Sequence, residues 1–313
     1  MPLHSFYASR LHGLAGYDRE RAASLDADTR RLMAHYRSPT DYEMPSGVEA
    51  EDISIEGRHG SILLRRYRYR FDRGEEQSAR ALLWVHGGGF SQGTLDWPES
   101  HVVAAELAAR AHAEIVSVDY SLAVDGVRFP VPLDDVHDAA KWLMAHVSPG
   151  AAVALGGASA GASLALAAAQ RLCSEEASPK TLLLAYPLVH FPVPALDDEA
   201  AEVVRAMPPM LRFPPAHIEA TMRNYVGRLH DLPVSAVPGH GRLRGLPPTH
   251  IHVAEFDELR PSGELLARQL DESGVPVSLE LARGVPHGHL NRTPAAPEVD
   301  ATLDAFAAAL LAL

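Results

Sequence analysis

Residues 152–173 read AVALGGASAGASLALAAAQRLC. The opening run, AVALGG, is apolar along its whole length. Strands look like that when helices cover both faces of a sheet and neither face meets water. The Ala- and Leu-rich run from Ala160 onward reads as a helix. Between them, Gly157-Ala158-Ser159-Ala160-Gly161 fits G-x-S-x-G on the join of strand and helix. A tight elbow there strains the serine backbone, and small neighbours let strand and helix approach closely. The turn exposes the Ser159 hydroxyl at a helix N-terminus. It also aims the Ala160 amide at negative charge developing beside that hydroxyl.

Outward from this elbow, ALLWVH (81–86), EIVSVD (114–119) and TLLLAY (181–186) repeat the fully apolar pattern. The spacing predicts strands at Ile53–Ile55, Ser61–Arg70, Ala81–His86, Glu114–Asp119, Ala151–Gly156, Thr181–Tyr186, His250–Ala254 and Val277–Leu281. Helices are predicted at Ser100–Ala113, Leu133–His146, Ala160–Cys173, Ser262–Asp271 and Glu298–Leu311. Alternating strands and helices imply right-handed crossovers and a mostly parallel sheet. The run LLRRYRYRF differs. Tyr67, Tyr69 and Phe71 alternate with Arg66, Arg68 and Arg70, as on an exposed antiparallel strand near the sheet edge. The arginines there read as a solvated strand face rather than an anion site. Residues 190–228 interrupt the alternation with FPVP and MPPMLRFPP and a helical piece, His217–Tyr225. Such an insertion belongs over the carboxyl ends of the strands, where open α/β sheets bind ligands.

The chain has 313 residues, 47% of them apolar, which suits a large globular core rather than disorder. Its formal net charge of −12 disfavours nucleic acid and anionic lipid as partners. Cys173 is the one cysteine, so no internal disulfide can form, and it reads as a small buried residue on a helix. No basic-then-apolar leader pattern opens the sequence, and no apolar run approaches a membrane span. A cytoplasmic protein without membrane association is the resulting expectation.

His86-Gly87-Gly88-Gly89-Phe90 follows directly on the strand ALLWVH. Glycines leave room for backbone amides to turn toward a ligand. His86, at the strand end, reads as a loop brace rather than a base. After a late strand, HIHVAEFDELRP offers Glu255, Asp257 and Glu258. After the next, SLELARGVPHGHLN offers His287 and His289. Asp257 and His287 are 30 residues apart with one helix and one strand between, a spacing that can join the ends of adjacent parallel strands. A histidine there would take the proton from Ser159, and a carboxylate would hold the ring tautomer and stabilise the imidazolium.

On HGGGF (86–90), VDYSLA (118–123), GASAG (157–161), LPPTHIHVAEFDELR (246–260) and GVPVSLELARGVPHGHL (274–290), the chain resembles the hormone-sensitive-lipase-like, HGGG-type esterases of the α/β-hydrolase fold. The resemblance implies about eight strands in a mostly parallel sheet flanked by helices. Residues 46–313 would form this core, with a cap insertion at about 190–228, and residues 1–45 would form the N-terminal part of a helical cap. It implies Ser159 as nucleophile, Asp257 as acid and His287 as base, with oxyanion amides at Gly87, Gly88 and Ala160. It implies a small-molecule ester of short to medium acyl chain as substrate, an acyl-enzyme intermediate, and no cofactor or metal. Four positions depart from the family pattern. Ala158 stands where Asp is frequent, and Gly161-Ala162 where two glycines are usual. DYSLAVD replaces DYRLAPE, and His289 replaces a phenylalanine. All triad members remain.

Amide, lactone or carbamate hydrolysis needs the same nucleophile and oxyanion hole, so it stays the alternative chemistry. A non-catalytic ligand-binding relative is disfavoured because Ser159, Asp257 and His287 are all present. A metal site built on His250 and His252 or on His287 and His289 lacks the accompanying carboxylates. The C-terminal helix and the last core strand are the surfaces through which a homodimer could form.

Overall fold

In the computed structural model, residue 8 and residues 42–70, 79–205 and 207–313 are described. The N-terminal cap expected over 1–45 lies almost wholly outside these residues, as does Phe71.

The sheet has eight strands: β1 (Val48–Gly57), β2 (Gly60–Tyr69), β3 (Arg80–Val85), β4 (Glu114–Asp119), β5 (Ala152–Ala158), β6 (Leu182–Ala185), β7 (Thr249–Phe256) and β8 (Val277–Pro286). Their spatial order is β1-β2-β4-β3-β5-β6-β7-β8. β1 and β2 are antiparallel, as is β2 with β4, and every later pairing is parallel. The strands expected at the eight positions are all present. The first is much longer than Ile53–Ile55, because its ten residues pair along their whole length with β2. Its flanking Glu49, Glu51 and Asp52 hid it from a hydrophobicity reading. They are partners for the arginines of β2: Arg65 bonds Asp52 at 2.6 Å, Arg66 and Arg68 bond Glu51, and Arg70 bonds Glu49. The arginine-rich strand is next to the edge. Arg66, Arg68 and Arg70 form a ladder of ion pairs on one face, and Arg65 pairs with Asp52 on the other.

Seven helices are described: α1 (Pro98–Ala111), α2 (Val131–His146), α3 (Ala160–Ser174), α4 (Asp198–Arg205), α5 (Pro215–Val226), α6 (Arg260–Glu272) and α7 (Pro297–Leu311). Helices α1 and α7 cover one face, where Val103, Leu107, Phe306 and Leu310 pack on Leu82, Trp84 and Leu183. Helices α2, α3 and α6 cover the other, where Leu133, Leu143, Leu166 and Leu270 meet Leu83, Leu155 and Leu184. Covering on both faces is the physical reason the buried middles of β3 to β6 are almost wholly apolar. The insertion carries α4, which sequence periodicity did not reveal, and α5, which matches the expected helical piece. Tyr225 of α5 stacks on Phe90 with ring centres 3.9 Å apart, and Asn224 donates to the Ala123 carbonyl at 2.7 Å. These contacts fasten α5 over the loops after β3 and β4. No helix among the described residues is long and apolar enough to cross a membrane.

Candidate active site

Ser159 joins β5 to α3 with φ 53° and ψ −119°, a conformation unfavourable for a residue with a β-carbon. Two glycines make it possible. A β-carbon on Gly161 would lie 2.2 Å from the Val85 carbonyl oxygen and 2.3 Å from that of His86. One on Gly157 would lie 2.6 Å from the Gly161 oxygen. The elbow is pressed against the end of β3, and Ser159 N–H donates to Ala185 at 2.9 Å, which ties it to β6 as well.

His287, in the turn after β8, lies 2.9 Å through Nε2 from Ser159 Oγ and 2.6 Å through Nδ1 from Asp257 Oδ2. Asp257 directly follows β7 and is buried. Its other oxygen accepts the Leu259 N–H at 2.8 Å, which locks the carboxylate plane. The ring thus has one nitrogen against the carboxylate and the other against the serine hydroxyl. The competing acids are engaged elsewhere. Glu255 accepts the Gly284 N–H at 2.6 Å, and Glu258 accepts Arg212 at 2.7 Å together with the Phe213 N–H. The other candidate base, His289, is buried against Thr302, 3.1 Å from its hydroxyl. Burial pushes the His289 imidazolium down to about 3, so the ring is neutral at ordinary pH.

Residues 82–291 match the family model of the α/β-hydrolase fold. The chain belongs to the α/β hydrolases. Within that fold it groups with the hormone-sensitive-lipase-like esterases. It is 30% identical over 281 residues to the esterase LipI of Mycobacterium tuberculosis, covering 87% of this chain and 83% of that one. It is 30% identical to an ethyl acetate hydrolase of Pseudomonas putida, covering 80% and 78% of the two chains. Among solved structures, a hyperthermophilic esterase of Pyrobaculum calidifontis superposes with a TM-score of 0.82 at 28% identity, over 100% of this chain and 99% of that one.

In this α/β hydrolase the glycine loop differs from expectation at one residue. The Gly87 N–H points into the core and donates to Glu99 Oε2 at 2.7 Å, so it does not face the serine. The physical cause is a buried carboxylate on α1 that outcompetes a solvent-facing orientation. The next residues turn sharply, with φ of 107° at Gly88, 60° at Gly89 and 64° at Phe90. Among the described residues, the N–H groups of Gly88, Gly89 and Ala160 donate to no protein acceptor. His86 does brace the loop, through Nδ1 to the Gly87 carbonyl at 2.8 Å, and Tyr120 donates to the carbonyls of His86 and Gly87. Burial pushes the His86 imidazolium down to about 4, which keeps it a neutral brace.

Three further residues lie next to the site; sequence pointed to Phe213 as an apolar group of the 190–228 segment but not to Tyr186 or Glu99. Tyr186, just past β6, sets its ring 4.8 Å from that of His287. Phe213, between α4 and α5, sets its ring 4.5 Å from that of His287. Glu99 is 2% exposed and bonds Gly87, Tyr186 and Asn291. Burial raises its carboxyl above the ordinary range, against the lowering effect of those bonds. An acid in the first turn of a helix reads as a solvent-facing end, so sequence offers no signal for it.

Proposed function

We propose that this protein hydrolyses carboxylic esters of short to medium acyl chain through an acyl-enzyme on Ser159. The observation that carries the proposal is the unbroken hydrogen-bond chain from Asp257 through His287 to a serine held at a strained elbow. His287 Nε2 takes the hydroxyl proton as Ser159 Oγ attacks the ester carbonyl, and Asp257 stabilises the imidazolium that results. The imidazolium then protonates the departing alcohol. A water activated by the same ring releases the acid.

The amides of Gly88, Gly89 and Ala160 form the oxyanion hole in this reading. Their lack of protein acceptors among the described residues supports it, as does the place of Gly88 and Gly89 directly after Gly87, which adjoins the elbow and is held by Glu99. Relatives named esterase and ethyl acetate hydrolase favour esters over amides, lactones or carbamates. The cap segment carrying Phe213 over His287 favours an enclosed pocket and hence a limited acyl length. A cytoplasmic location and a homodimer through α7 or β8 complete the reading as expectations of the sequence.

The test is a p-nitrophenyl ester series from acetate to laurate, with an anilide and an emulsified triglyceride beside it. Each methylene that fits should contribute about 0.8 kcal/mol, roughly fourfold in kcat/KM, until the pocket wall is met. A rise that continues to laurate with activation at the emulsion surface would overturn the acyl-length reading. Ser159→Ala with near-parent turnover would overturn the nucleophile.

A further inference from the structure

Glu99 joins three separate parts of the site at one buried point. Its Oε2 accepts the Gly87 N–H at 2.7 Å. Its Oε1 accepts the Tyr186 hydroxyl at 2.6 Å and the Asn291 Nδ2 at 3.1 Å. Gly87 opens the oxyanion loop. Tyr186 continues from β6 and packs on the His287 ring. Asn291 belongs to the turn that carries His287, where its N–H bonds the Gly288 carbonyl at 3.0 Å. The backbone of Glu99 is itself fixed, because the Trp84 indole donates to its carbonyl at 2.7 Å. The Gly87 backbone separates the carboxylate from the nucleophile by one residue's width. A β-carbon on Gly87 would be 2.6 Å from Oε2 and 3.1 Å from the Ser159 β-carbon.

Three neutral donors hold this acid, and no cation is among them. Burying a carboxylate so far from water opposes folding, and an apolar residue of the same size would pack the site more cheaply. What an apolar residue cannot do is accept three hydrogen bonds from three chain segments at fixed directions. We infer that Glu99 is a positioning residue for ester hydrolysis, setting the oxyanion loop and the His287 turn in register with each other. It holds the Gly87 N–H away from the serine, which leaves the following amides to meet the oxyanion. Through Asn291 and Tyr186 it fixes the base to the same frame. The inference rests on the triad and oxyanion hole proposed above.

The experiment compares Glu99→Gln and Glu99→Met with the parent enzyme on p-nitrophenyl butyrate. Binding of an alkyl trifluoromethyl ketone, whose serine adduct places an oxyanion in the hole, is measured beside it. A gradation is expected, because glutamine keeps one acceptor and methionine none. Losses in kcat of about 10-fold for Glu99→Gln and about 10²-fold for Glu99→Met are expected, with KM within about threefold. The ketone inhibition constant should rise in step with the loss in kcat/KM. A cooperatively unfolding Glu99→Met enzyme with kcat within about threefold of the parent would overturn the inference. So would a change confined to KM, or ketone affinity that stays constant while kcat falls. If Glu99→Met does not fold, Glu99→Gln is judged by the same readings. Ser159→Ala, run in parallel, separates the two levels. Turnover surviving there sinks the triad itself, whereas its loss beside normal Glu99 variants sinks only the positioning role.

Discussion

Replacing Gly88 with alanine puts a β-carbon where the structure has no room for one. It would lie 2.0 Å from the Gln92 carbonyl oxygen and 2.5 Å from the carbonyl carbon, against an ordinary contact of 3.4 Å or more. Both close atoms are backbone, so no side-chain rotation can relieve the overlap. The two strands of the loop must separate by more than about 1 Å, and a φ of 107° adds strain for any residue with a β-carbon. That separation pulls on the turn closed by the Ser91 and Gln92 amides, which both donate to the Gly88 carbonyl. A displacement of about 1 Å in a reacting group can cost roughly 10²-fold, and loss of one oxyanion donor costs roughly 10²–10³-fold. Gly88→Ala should therefore lower kcat on p-nitrophenyl butyrate by about 10²–10³-fold while the enzyme remains folded. Gly126→Ala is the matched control. Its φ of 90° imposes similar backbone strain, but nothing lies within 4 Å of the added carbon. It should cost about 1 kcal/mol of stability and leave kcat unchanged. If Gly88→Ala retains kcat within about threefold, the loop does not present its amides to the reaction.

Asp257→Asn should lower kcat by about 10⁴-fold by favouring the wrong tautomer of His287, whereas Glu258→Gln should change kcat by less than about threefold, since among the described residues Glu258 bonds Arg212 and Phe213 and not His287; a reversed order in steady-state kinetics would reassign the acid. Ser163→Ala should leave kcat intact and lower the unfolding free energy by about 1 kcal/mol in urea titration, because its hydroxyl donates to the Leu188 carbonyl within the core rather than to the site. Phe213→Ala should move the optimum of the acyl series to longer chains, and an unmoved optimum would remove the ring from the pocket wall. The buried rings of His86, His252 and His289 are held at about 4, about 4 and about 3, below the ordinary 6.5. The unfolded chain therefore binds more protons below that value. Their contribution is fully present above about pH 6.5 and declines as pH falls toward the folded-state values. Each ring should add a slope of up to about 1.4 kcal/mol per pH unit to acid unfolding, and His289→Phe should flatten it in denaturant melts at pH 5 and pH 7.

The sequence by itself located the eight strands, the five core helices and the elbow at Ser159, and it narrowed the acid to Glu255, Asp257 or Glu258 and the base to His287 or His289. Each of these leaves a one-dimensional trace. A doubly covered strand must be apolar along its buried middle, and an elbow so close to β3 that a β-carbon at 161 would lie 2.2 Å from the Val85 oxygen must have glycine there. An acid and a base must follow their strands in order. The chain's acidic, arginine-laddered edge was only half legible, since the partners Glu49, Glu51 and Asp52 were seen as breaks in a hydrophobic run.

Tertiary structure alone decided which of three neighbouring acids faces His287, because Glu255, Asp257 and Glu258 differ only in the direction their side chains leave the end of β7. It decided that Gly87 turns its amide inward, because the acceptor, Glu99, comes from another segment 12 residues away. It also brought Phe213 over His287 from 74 residues away. Directions and long-range approaches of this kind are fixed by packing in three dimensions, and no local pattern of residue types encodes them.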